Sequence, residues 1–253
     1  MARFRLAVLA GLAMCVLVGP SVRGDEKPAA KPRYTFRKVH DPNGIGKFYM
    51  GREIAHVISG TQYFERPERE KEEKLSVLVK SLDLKPGMVV ADLGAGTGVI
   101  SSLMAEKVGP KGYVIAVDVQ QKMLDRLKIR MAKLGVKNVR PHKGTTKSPK
   151  LKPGSVDLAL MVDVYHEFEY PYAMLLEISK ALKPGGRVVF VEYRMEDPRV
   201  PIKRVHKMSQ AQVKKEAGQP EFRLSYVKTI GVLPRQHILI FSKRKPRAGT
   251  KTR

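Results

Sequence analysis

Cysteine is nearly missing from this 253-residue chain, where Cys15 is the only one. Disulfides within the chain and metal sites built on cysteine are excluded with it. Tryptophan is absent. Acid is scarce beside base: 24 Asp and Glu stand against 48 Lys and Arg, a formal net charge of +24. Such a field draws polyanions, acidic partners or anionic membrane surfaces. A generally basic, solvated surface would give the same number. No basic stripe interleaved with aromatics marks a platform for single strands, and no specific nucleic acid is expected as a partner. Internal repeats are not visible.

Long apolar runs are lacking too. The one stretch that invites a membrane reading, Leu6–Val18, has 13 residues. As a helix it rises about 20 Å, against a hydrocarbon core of roughly 30 Å. Arg3 and Arg5 precede it, and Val22 and Gly24 place small residues at −3 and −1 for cleavage after Gly24. Residues 1–24 therefore read as an export signal, with an uncleaved N-terminal anchor or a mis-assigned start as alternatives. The expected location is exported or membrane-anchored, and cytoplasmic if the signal reading fails. Cys15 follows bulky Met14, a poor setting for lipid attachment. Residues 25–40, whose first part to 35 is rich in Lys, Pro and Ala, read as a linker, and 243–253 as a disordered basic tail suited to weak contact with anionic membrane or polyanion.

Between linker and tail, residues 41–242, strands and helices alternate. Apolar runs at 88–93, 113–117, 138–142, 156–162, 187–193, 222–229 and 237–241 predict strands. Segments 67–82, 99–108, 121–134, 171–182 and 208–217 predict helices. This rhythm implies an α/β, Rossmann-like doubly wound sheet of seven strands. The final two strands lack an intervening helix, so the sheet is expected to be mostly parallel with an antiparallel last strand.

The chemistry concentrates where the first core strand meets its helix, at Val89-Val90-Ala91-Asp92-Leu93-Gly94-Ala95-Gly96-Thr97-Gly98. Glycines there let backbone approach a ligand closely. Asp118 ends the next strand, where an acid can accept both hydroxyls of a ribose. A dinucleotide fingerprint needs two residues between its second and third glycines, and here there is one. Asp92 would also repel a pyrophosphate, whereas a cationic sulfonium ligand tolerates it.

This segment resembles motif I of the class I S-adenosylmethionine-dependent methyltransferases, and Asp118 resembles their ribose-binding acid. Leu182-Lys183-Pro184-Gly185-Gly186 resembles a turn of the ubiquinone/menaquinone-biosynthesis and arsenite methyltransferase type. The similarity spans roughly residues 65–242. It implies S-adenosylmethionine as cofactor. Gly94, Ala95, Gly96 and Gly98 would line its methionine part, with Asp92 near the amino group. Val119, Gln120 and Met123 would flank ribose and adenine, Thr145 would stand where many relatives carry an adenine-binding Asp, and Asp163 would border the methyl end.

Ligands of open α/β sheets bind at the carboxyl edge of the strands. That edge places Tyr165, His166 and Glu167 beside the expected acceptor. His166 is a candidate base, although a brace or helix cap would use the same residues. Tyr193, Arg194 and His206 are candidate acceptor contacts, Arg194 as an anion clamp. Tyr49 and Tyr63 fall in an N-terminal segment that would act as a lid or simply dock on the core. His142, His166, His206 and His237 show no ligand spacing such as HExxH, so no metal is expected. The reading is a methyltransferase acting on a small-molecule acceptor by in-line transfer. Methylation of protein or RNA, and a non-catalytic cofactor-binding module, stay open. No Asn-Pro-Pro-Tyr motif follows the fourth strand, which argues against methylation of base amino groups.

Overall fold

A computed structural model describes residues 32–245, without Ser59 and without the side chain of Tyr63. The signal or anchor, the start of the linker, most of the basic tail, Cys15 and the Tyr63 ring lie outside the described residues.

Alternation of apolar side chains along each core strand builds two cores, one on each face of a single sheet. In β4 (Val89–Leu93) Val90 faces one core and Ala91 and Leu93 the other. In β7 (Val156–Val162) Leu158 and Leu160 oppose Ala159 and Met161 in the same way. β8 (Leu182–Tyr193) repeats it with Val189 and Val191 against Val188 and Phe190. Strands buried on both faces are the mark of parallel sheets covered by helices. The remaining strands are β5 (Tyr113–Asp118), β6 (Val139–Lys143), β9 (Leu224–Ile230) and β10 (Gln236–Lys243). The order is β6-β5-β4-β7-β8-β10-β9. β4 pairs in parallel with both β5 and β7, and β10 runs antiparallel to β8 and β9. The seven-stranded, mostly parallel sheet with its antiparallel last strand is thus as the sequence predicts.

The chain leaves β4 toward β5 on one side and later returns to place β7 on the other. The strand order reverses between them, which opens a crevice beyond their carboxyl ends. Around the sheet lie α4 (Val99–Val108), α5 (Gln121–Leu134), α6 (Pro171–Ala181) and α7 (Gln210–Ala217).

Two departures matter for the site. Part of the expected linker is a strand: β1 (Tyr34–Phe36) pairs with β2 (Gly44–Tyr49), which pairs with β3 (Arg52–Ala55) in a separate antiparallel sheet. Tyr, Thr and Phe favour extended backbone, and Lys47 packs against the Tyr34 and Tyr170 rings at 4.5 and 3.4 Å. The helix expected over 67–82 is broken into α2 (Arg69–Glu73) and α3 (Leu75–Ser81), following a short α1 (Thr61–Glu65). The break is Lys74, at φ 52. It frees α3 to dock Leu75, Leu78 and Val79 on the core while buried Glu73 takes the Arg69 guanidinium at 2.7 Å and the Tyr193 hydroxyl at 3.0 Å.

Candidate functional site

Two adjoining cavities, of about 260 and 120 Å³, share Ile58, Phe64, Gly94, Val162 and Asp163 as walls. They lie at the switch point, where the fold predicts a ligand.

The smaller cavity is floored by the glycine turn and Asp118. The Gly96 N–H donates to Asp118 Oδ2 at 2.9 Å, and the Gln120 N–H donates to Oδ1 at 2.7 Å. Both oxygens are thereby aimed by main chain, with lone pairs to spare for a ligand. Gly96 has φ 54, and a Cβ there would meet nothing closer than the Phe64 ring at 3.9 Å. Its missing side chain leaves an open cradle. Gly98 is different: at φ 81, its Cβ would strike Leu127 at 2.7 Å. It lines neither cavity, and its work is to let α4 and α5 approach. Val119, Gln120, Met123 and Thr145 line the smaller cavity. Thr145 Oγ1, however, accepts from the Ser148 N–H at 3.0 Å and donates to the Ser148 carbonyl at 3.1 Å. Its polarity serves its own loop.

The larger cavity takes in Asp92, Ala95, Asp163, His166, Tyr193 and His206, together with Arg69, which the sequence reading overlooked. Asp92 accepts from the Ser101 hydroxyl at 2.5 Å, and burial pushes its carboxyl up to about 6. Burial likewise raises Asp118, against the opposing pull of the Gln120 and Gly96 N–H groups. Asp163 sits at φ 50. Its Oδ2 accepts from Gln236 at 3.1 Å, while Oδ1 is buried with no partner among the described residues. Burial, then Glu73 and Glu192, hold Asp163 well above the carboxylate range. An unpartnered buried oxygen here suits a hydrogen-bonding group of a ligand.

Behind the cavity lies a buried polar network. His166 Nδ1 is 2.6 Å from Glu192 Oε2, and His166 Nε2 is 3.1 Å from His206 Nδ1. Glu167 Oε1 accepts from the Ile58 N–H at 3.1 Å. Burial, then Arg52, pull His166 down to about 3, and burial pushes Glu167 and Glu192 each up to about 8. So weak a base with both nitrogens engaged is poorly suited to take a proton from an acceptor. Tyr165 lines neither cavity. Its N–H donates to Glu192 Oε1 at 3.0 Å and its hydroxyl to Glu216 Oε2 at 2.8 Å. Arg52 grips the same Glu216 with two bonds of 2.9 and 3.1 Å. Arg194 turns away from the cleft, donating to the Leu233 and Gln236 carbonyls at 2.9 Å each. It braces the β9–β10 connection. Tyr49 is buried beside Tyr34 and Gln219.

The fold brings together what chain spacing kept apart. His166, Glu167 and His206 offer ligand atoms within 4.8 Å of one another, the one such cluster among the described residues. The expectation of no metal rested on chain spacing, which could not show this set, because it comes from two loops, one after β7 and one after β8. Arg69, Arg52 and Glu216 were missed for a related reason, since nothing local distinguishes them from surface charge.

Comparison with known proteins adds a family. The family described as Methyltransferase domain matches residues 84–229. Demethylmenaquinone methyltransferase of Lactococcus lactis is 33% identical over 116 residues, 46% of this chain and 45% of that protein. A tRNA (adenine(58)-N(1))-methyltransferase of Thermus thermophilus is 28% identical over 154 residues, 58% of each. This chain therefore spans about half of the curated relatives it matches. Among solved structures, a SAM-dependent methyltransferase from Aquifex aeolicus superposes with a TM-score of 0.67 at 24% identity, covering 72% of this chain and 96% of that one. It is a likeness of fold.

Proposed function

Since this chain belongs to the methyltransferase-domain family, we propose that it transfers a methyl group from S-adenosylmethionine to a small-molecule acceptor held in the larger cavity. The observation that carries this reading is Asp118, its two oxygens pinned by the Gly96 and Gln120 N–H groups beside the open cradle at Gly96. When bound, the cofactor supplies a methyl already activated on a sulfonium.

The chain's part is binding, orientation and exclusion of water. Asp118 takes the ribose hydroxyls, with Val119, Gln120 and Met123 along the base. Arg69 faces a carboxylate, and Asp92 and Asp163 face an ammonium or sulfonium. Ile58 ties the lid segment across the cleft: its N–H donates to Glu167, and its carbonyl accepts from Gln120 at 3.2 Å. The acceptor sits against Tyr193, His166 and His206. The modest volume of the larger cavity, about 260 Å³ with Ile58, Phe64 and Ile202 in its walls, favours a small molecule over a nucleic-acid or protein chain, for which the net charge of +24 is the counter-argument.

The test is transfer of label from isotopic S-adenosylmethionine into separated small-molecule, RNA and protein fractions, comparing wild type with Asp118→Ala. Label in the small-molecule fraction, lost in the variant, supports the proposal. Label confined to RNA or protein redirects it, binding without transfer to any fraction favours a non-catalytic module, and equal transfer by the variant overturns the role of Asp118.

We also infer that the mature chain is exported or held at a membrane through residues 1–24, with its basic surface favouring anionic lipid. Among the described residues no helix is long and apolar enough to cross a membrane. Cell fractionation with sequencing of the mature N-terminus tests this inference.

A further inference from the structure

We propose that His166, Glu167 and His206 form a binding site for a divalent first-row transition ion, of the Zn²⁺ or Fe²⁺ class, in the wall of the larger cavity.

The geometry makes the case. His166 Nε2 and His206 Nδ1 are 3.1 Å apart, and each is 3.9 Å from Glu167 Oε1. A triangle with these sides has its centre about 2.1 Å from every corner, the length of a bond from such an ion to imidazole nitrogen or carboxylate oxygen. Two imidazoles and one carboxylate, with further positions open, are the donor set these ions prefer. Alkaline-earth ions want more oxygens.

The surroundings fix the ligands as a metal site requires. In the tautomer with hydrogen on Nδ1, His166 donates to Glu192 Oε2 at 2.6 Å. That leaves Nε2 unprotonated, 3.1 Å from His206 Nδ1 in this structure, and an ion would take the place of that hydrogen bond. A carboxylate behind a histidine in this way sets ring orientation and ligand strength. Glu192 is itself held through Oε1 by the Tyr165 N–H at 3.0 Å, and Glu167 Oε1 is positioned by the Ile58 N–H at 3.1 Å. His206 stands edge-on to His166, with the ring planes at 90°. Two imidazoles stabilising each other by a single hydrogen bond would need no carboxylate within reach of both.

His166 and His206 also line the larger cavity, so the open positions of the ion face that space. If the methyl-transfer reading holds, an acceptor carrying a hydroxyl, phenol or thiol would be oriented by the ion. This last consequence rests on that reading, whereas binding of the ion does not.

The experiment is equilibrium dialysis of the full chain, stripped with chelator, against Zn²⁺, with Co²⁺ titrated separately for its visible d–d bands. His206→Ala is the principal variant because its side chain is partly exposed, and Glu192→Gln tests the supporting carboxylate. Each is checked for folding by its melting temperature. The expected result is one tight equivalent of Zn²⁺ and a Co²⁺ spectrum in wild type. His206→Ala should weaken binding by at least about 100-fold, and Glu192→Gln by about 10–100-fold. Less than one equivalent in wild type, or unchanged affinity in folded His206→Ala, overturns the site. Calorimetry with S-adenosylhomocysteine on the same stripped protein separates the two claims. Nucleoside binding without ion binding defeats only the metal site, and ion binding without nucleoside binding defeats only the cofactor reading.

Discussion

The two halves of the cleft are built by opposite means. The cofactor half is made of main chain: consecutive residues at the ends of β4 and β5 turn, and their own N–H groups aim the one carboxylate that matters. The half proposed to take the acceptor is made of side chains from β3, the α2 segment, the loops after β7 and β8, and α7, held by a buried network. A site made of backbone tolerates change everywhere except where a Cβ or a carboxylate is fixed. A site made of buried charges fails when any one partner is withdrawn.

The largest effect should come from the acceptor half. Glu216 is fully buried and accepts from Arg52, Tyr165 and Gln212. Glu216→Ala leaves the Arg52 guanidinium uncompensated and should cost about 3–5 kcal/mol of folding stability, read by urea denaturation. A loss below about 1 kcal/mol would mean the network does not hold this half together.

The cofactor half is sharpened by two glycines that look alike in sequence. Gly98→Ala puts a methyl into Leu127 at a left-handed position and should cost about 2–3 kcal/mol of stability, while folded protein keeps near-normal cofactor affinity. Gly96→Ala meets only the Phe64 ring, at an ordinary contact distance of 3.9 Å, and should cost about 1 kcal/mol in stability, but weaken cofactor affinity more than tenfold. The reverse pattern would break the assignment of roles.

The smallest effect is in pH. Burial pushes Asp92 up to about 6 from its ordinary value near 3.8. The folded state therefore holds this proton over a range where the unfolded chain has released it. The contribution of Asp92 to stability is most favourable at low pH and is lost as pH rises through about 6. Binding runs the other way, because only the ionised carboxylate attracts a cationic ligand. Cofactor affinity should fall by up to about tenfold from pH 7 to pH 5, and Asp92→Asn should flatten that part of the profile. Superimposable profiles for wild type and variant would exclude Asp92 from facing the charged end.

What was legible in the sequence follows the same division. The strand segments, the glycine turn and the acid closing β5 were readable because each depends on neighbours within a few residues, and period-2 burial repeats the message along the core strands. The roles inside the motif were less legible: Gly98 and Gly96 differ only in what a distant helix or ring leaves free. Lys74 breaks a pattern that reads as one helix, because the demand that Glu73 meet Tyr193 is a long-range one. The Tyr34–Phe36 strand was hidden behind a Lys- and Pro-rich approach. Arg194 reads as a clamp by its position at a strand end, yet carbonyls from the β9–β10 connection claim it. The His166, Glu167 and His206 cluster could not be seen at all, since 40 residues separate its two histidines.

Calorimetric titration of purified protein with S-adenosylhomocysteine, wild type beside Asp118→Ala, examines the pinned carboxylate most directly. One saturable site in wild type, weakened about 100-fold in a variant that still melts cooperatively, is the expected outcome, since a pair of hydrogen bonds to a charged group is worth about 3 kcal/mol. Absence of binding in wild type, or equal affinity in both proteins, would contradict it.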